Sequence, residues 1–125
     1  MPINRIVASL VLVHVANELA RVRDCISQCA NQSRIREQEV IMLTRKMHMI
    51  ERDQYASHDD YIECIEERDQ WIGYLSESIE SWQMYTSEEG ILIPMHNSLL
   101  SAITDDQAEY ETNSIQRDVI VASST

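Results

Sequence analysis

Cys25 and Cys29 stand four residues apart, the spacing at which a helix puts two metal ligands on one face. A structural zinc would need two more ligands. The nearest histidines are His14, about three turns away on the same predicted helix, and His48, in another segment. The pair is therefore expected to be two small apolar residues packed inside, with no metal. Neither does a disulfide suit them, because i and i+4 side chains in a regular helix rarely reach bonding geometry. With Cys64 the thiols number three, an odd set without a secreted-type framework, so reduced cysteines in a cytoplasmic, reducing compartment are expected.

His58, followed by Asp59, Asp60 and Glu63, has the residue types of an acid/base cluster. Carboxylates are also what a helix N-terminus attracts through its dipole, and Ser57 three residues before Asp60 resembles a capping box. A capped helix start is the expected reading. The sequence lacks Glu-x-x-His, His-Glu-x-x-His and Gly-x-Ser-x-Gly, and two glycines cannot build a phosphate loop. No catalytic residue, cofactor or metal site is expected, and the chain is read as not an enzyme.

The elements that would position these residues are helical. No glycine or proline occurs between Ile3 and Ile72, and the chain has only two of each. Val11, Val15, Leu19, Val22, Ile26 and Cys29 step by four and three, predicting a helix over about 3–30. The polar patch Asn31–Arg34 is expected to break it, with a second helix over about 34–56 carrying Val40, Leu43, Met47 and Ile50 inward. A third, over about 58–87, has His58, Tyr61, Ile65, Arg68, Ile72, Leu75, Ile79 and Trp82 as its seam. Between the second and third the step pattern stutters, and the chain is expected to turn near Ser57 rather than continue as one helix.

Gly90 is expected to stop the third helix, followed by an extended piece over about 91–95 broken by Pro94. A short helix over about 97–111 and a second extended piece over about 117–122, a partner for Ile91–Ile93, complete the pattern. The expected fold is thus one all-α domain over 1–125. It is a helical hairpin or coiled-coil bundle of three to four helices with a short two-stranded β element near the C-terminus.

The apolar run Ile6–Ala16 covers eleven residues, where a membrane span needs about 20. Its length would suit the core of a signal peptide, but His14 inside it and Glu18 just after argue against that. Apolar all round, it is expected to be a buried core helix.

The net charge of -11 is unevenly spread. Residues 1–52 hold eight basic and five acidic residues, and residues 53–125 two basic and sixteen acidic. The C-terminal part is expected to repel nucleic acid and anionic membranes, the N-terminal part being at most mildly basic, so no direct nucleic-acid binding and no membrane span are expected. From Asp59 to Glu80 there are eight acids and one arginine, approaching the charge density of a single DNA strand and well below that of a duplex. Asp59, Asp60, Glu63, Glu66, Glu67, Glu77 and Glu80 are candidates for a nucleic-acid-mimicking surface, as in an inhibitor of nucleases or restriction enzymes. They spread around the helix, however, and a solvated face is the expected role. Trp71, Tyr74 and Tyr85 are the candidates for protein contact, since aromatics anchor interfaces. The leading expectation is a non-enzymatic protein that self-associates or docks as a subunit of a larger assembly.

Overall fold

In the computed structural model the backbone is described for residues 5–123 and side chains for residues 5–105. Two α-helices account for the described chain, α1 over Arg5–Arg52 and α2 over His58–Ser123, and they pack as a hairpin. No strand is present among the described residues. The chain divides into two compact units, one of Val22–Glu88 and one of Met1–Arg21 with Glu89–Thr125.

The turn falls where the stutter places it, and it forms without glycine. The Asp53 amide donates to the Ile50 carbonyl (3.1 Å) and the Ala56 amide to the Asp53 carbonyl (3.2 Å). The Asp53 carboxylate accepts from the Tyr55 amide at 2.9 Å, an Asx turn that needs no left-handed residue. Ser57 then caps α2: its hydroxyl accepts the Asp60 amide at 3.1 Å, while Asp59 and Asp60 occupy the first turn.

The expected break at Asn31–Arg34 does not occur. Within Val22–Glu88, the inward positions of α1 are Val22, Ile26, Cys29, Ser33, Arg36, Val40, Leu43, Met47 and Ile50, all buried or half-buried. They alternate steps of four and three without interruption. The stripes on either side of the polar patch are in phase, with Ser33 and Arg36 filling the slots between Cys29 and Val40. Those polar slots are satisfied across the hairpin. Ser33 donates to the Ser78 hydroxyl at 2.9 Å, Ser78 donates to the Leu75 carbonyl at 2.9 Å, and Arg36 donates to the Tyr74 carbonyl.

On α2 the inward residues of this unit are Tyr61, Cys64, Arg68, Trp71, Leu75 and Ser78. The expected seam shares Tyr61, Arg68 and Leu75 with this stripe but is displaced by one residue at the alternate positions. Cys64, Trp71 and Ser78 turn in, and Ile65, Ile72 and Ile79 stand beside them, with Ile72 and Ile79 each 41% exposed. Both stripes fit a three-four alternation, so periodicity alone does not separate them. The core holds Leu43, Met47 and Cys64, with Ile50, Tyr61, Ile65 and Trp71 against it. The Cys64 thiol donates to the Leu43 carbonyl at 3.4 Å. Arg68 also enters the seam, one guanidinium nitrogen 3.3 Å from the Met47 sulfur and another 3.6 Å from the Asp69 carboxylate, while its Nε is buried without a hydrogen-bond partner.

In the other unit, α1 buries Ala8, Val15 and Leu19, and α2 half-buries Leu92, His96, Leu99 and Ile103. Three expectations are corrected here. Gly90 does not end a helix, residues 91–95 and 117–122 are helical rather than extended, and 97–111 belongs to α2. Within this unit Glu89, Leu92, His96, Leu99 and Ile103 are half-buried at steps of three and four, and this outweighs the local cost of Gly90 and of Pro94, whose ring nitrogen has no proton to give. The described residues therefore form two long helices, not three or four, and no β element. The apolar run at Ile6–Ala16 is not buried all round: Ile6 is 70% and Leu10 66% exposed, since a helix in a hairpin covers one stripe only.

Candidate functional site

The two flanks of the inward stripe on α2 differ in chemistry. Asp60, Glu67 and Tyr74 each precede an inward residue by one position, and Glu63 and Glu77 lie on the same side at helical spacing. Gln32, Glu39 and Lys46 hold the corresponding positions on α1. This pairing is visible in two surface depressions of the Val22–Glu88 unit, each lined from both helices.

The first, of about 370 Å³, is lined by Gln32, Ile35, Arg36, Trp71 and Tyr74. Trp71 packs inward against the Leu43 cluster, and Tyr74 meets it edge-on, ring centroids 5.6 Å apart at 89°. The Arg36 guanidinium lies 5.8 Å from the centre of the Tyr74 ring, a cation–π distance, and Gln70 donates to the Tyr74 hydroxyl at 2.8 Å. Tyr74 is thus held in place on both its face and its hydroxyl. Ile35, 48% exposed, closes the apolar side. Preordered aromatic and aliphatic surface of this kind loses little side-chain entropy on binding.

The second depression, of about 410 Å³ beside the turn, is lined by Lys46, Asp53, Asp60, Glu63 and Glu67, with Ile50, Tyr55, Ala56 and Cys64. It gathers three of the seven candidate acids. Asp59, Glu66 and Glu80 fall on the outermost face of α2 instead, and Glu77 lies further along, so the seven do not form one surface. His58 is exposed and lines a different depression, with Ile50, Glu51, Ala56, Ser57 and Tyr61. The structure therefore parts His58 from Asp60 and Glu63.

Glu51 accepts a hydrogen bond from the Tyr61 hydroxyl at 2.9 Å and lies 3.2 Å from His48 Nδ1. The Tyr61 bond, then His48, lowers the Glu51 carboxyl from its ordinary value, and the same bond raises the Tyr61 phenol. This cluster ties α1 to α2 next to the turn.

Trp71 and Tyr74 are brought together, while Tyr85 is half-buried farther along the stripe and is not part of that depression. Gln32, Ile35 and Arg36 were not singled out in the sequence. Their signal was available, since a stripe kept in phase through Asn31–Arg34 aims Arg36 at α2. Cys29 and Cys64 are buried, Cys25 is half-buried, and all three are free thiols. Among the described residues no group of three or more His, Cys, Asp or Glu side chains is arranged to hold a metal. No helix among them is long and apolar enough to cross a membrane.

Compared with known protein families, with curated proteins and with solved structures, the chain has no match.

Proposed function

We propose that this chain is a non-enzymatic helical interaction protein, which self-associates or docks as a structural subunit of a larger assembly. The observation that carries the reading is the depression walled by Trp71, Tyr74 and Ile35. It presents rigid aromatic and aliphatic surface to solvent, with Arg36 and Gln70 fixing Tyr74. An apolar residue of a protein partner is the occupant it suits, with Trp71 and Tyr74 as anchors. Tyr85, outside the depression, has a supporting place in the stripe. Its compartment in this reading is the cytoplasm, where three free thiols remain reduced.

The test is the native size of the chain in extracts of the cells that make it, beside a Tyr74→Ala variant. An assembly larger than the 14.5 kDa chain, reduced by the variant, is expected. A 14.5 kDa species throughout would contradict the proposal. Tyr74 is the better probe, because Trp71→Ala would also open the core it packs against.

A second reading, an acidic inhibitor that mimics nucleic acid, draws on the gathering of Asp60, Glu63 and Glu67 around one depression. Binding to a basic nucleic-acid-binding protein that falls steeply with salt would favour it.

A further inference from the structure

The flank of α2 opposite the acids and Tyr74 reads Ile62, Ile65, Asp69, Ile72, Ser76 and Ile79, at steps of three and four. Of the eight acids between Asp59 and Glu80 it holds one. Ile62, Ile72 and Ile79 are 38–41% exposed, and Ile41 of α1, on the same side, is 42% exposed. In a chain of net charge -11, this stripe of α2 carries a single acid, Asp69, with Glu66 and Glu80 at its border. A second stripe at heptad spacing, set beside the first, is what a helix shows when it has two helical neighbours, as in a four-helix bundle. The hairpin supplies only one.

We infer that the Ile41, Ile65, Ile72 and Ile79 flank is where a second copy of this chain packs, α1 of each copy lying along α2 of the other. This inference deepens the association proposed above and names its partner. Charge selects the arrangement. The rim of the flank carries Arg34 and Arg45 on α1, with Glu37 between them, and only acids on α2 (Glu66, Asp69, Glu80). Packing α2 on α2 would bring acid to acid, whereas α1 on α2 brings Arg34 and Arg45 to those acids.

Levels along the hairpin agree with this choice. Leu43 meets Cys64 and Ser33 meets Ser78, so α1 and α2 residue numbers at one level sum to roughly 110. A two-fold axis along the hairpin preserves levels. It therefore sets Arg45 of one copy beside Glu66 of the other, and Arg34 beside Ser76 and within a turn of Glu80. The same operation stacks Ile41 between Ile65 and Ile72 of the second copy, which gives the apolar centre a charged border.

The experiment is light scattering on the purified full chain across a concentration series, with circular dichroism on each variant. The wild type is expected to form a two-chain species. Ser76→Arg alters an exposed side chain outside the hairpin's own core, so helix content should hold while dissociation rises by about 30-fold or more. Arg45→Glu should weaken the pair, and adding Glu66→Arg in the same chain should restore it. A single-chain wild type, a pair unmoved by Ser76→Arg, or the absence of rescue by Glu66→Arg would each overturn the inference. A chain that is single when purified but large in cell extract overturns this inference alone and leaves docking through Tyr74 standing.

Discussion

The two flanks of the Val22–Glu88 hairpin are built on the same helix and at the same spacing, yet one is isoleucine and the other carboxylate and tyrosine. Each lies one position from the buried stripe, so neither is required to differ by the hairpin's own packing. The inner stripe is modest, with Cys64 and Ser78 where Ile65 and Ile79 would have buried more apolar surface. A fold maximising its own burial would have turned by one residue. That it turns Ser78 toward Ser33 and Trp71 toward the Leu43 cluster leaves Ile72 and Ile79 outside. In the pairing proposed above, hairpin stability and association fall to adjacent stripes.

The largest effect should separate the inner stripe from the isoleucine flank. Leu43→Asp places an unpaired carboxylate at a buried site and is expected to cost about 3–5 kcal/mol, read by chemical denaturation. Ile72→Asp should keep its helix content and act on assembly. Equal loss of fold from both would show that the stripes are wrongly divided. Next, Gly90→Ala should stabilise α2 by about 0.5–1 kcal/mol, because a methyl there meets nothing within 4 Å and no glycine has positive φ. A helix ending at Gly90 would instead be destabilised.

On the acidic side, changing Glu66, Glu67, Glu77 and Glu80 to Gln should move stability by no more than about 0.5 kcal/mol per site. Glu66→Gln should also loosen the rim of the pair slightly, while loss of all partner binding with helix content unchanged would favour mimicry. The smallest effect concerns Tyr61→Phe. The Glu51 carboxyl is lowered in the folded chain, so its contribution is present above the ordinary carboxylate value and lost as pH falls through the folded one. The Tyr61 phenol is raised, so its contribution is present below the ordinary phenol value and lost as pH rises through the folded one. Thermal melts across pH should therefore show Tyr61→Phe flattening both the acid and the alkaline slopes.

Much of this fold was legible in the residues. The all-helical class and the turn near Ser57 followed from spacing, capping chemistry and the scarcity of glycine. The continuity of α1 was missed because Asn31–Arg34 was weighed as a local helix breaker, although the interval from Cys29 to Val40 keeps phase. Gly90 and Pro94 misled in the same manner, local preference yielding to the half-buried spacing of Leu92, His96, Leu99 and Ile103. The choice between Cys64, Trp71 and Ser78 and the isoleucines beside them is settled by cross-hairpin partners such as Ser33, which a single helix's periodicity does not contain. Of the candidate site, Trp71 and Tyr74 were legible as aromatics on one helix, whereas Gln32, Ile35 and Arg36 come from the opposing helix and needed the register of the hairpin.

The most direct test of the division between flanks is the salt dependence of association in the purified chain, measured by sedimentation at about 0.05 M and about 0.5 M sodium chloride. At the higher concentration screening shortens to about 4 Å, which removes most rim electrostatics and leaves apolar contact in place. An isoleucine interface predicts a two-chain species at both, its dissociation constant shifting by less than about tenfold. A species that forms at low salt and separates into single chains at high salt would place association on the charged surface and contradict the account.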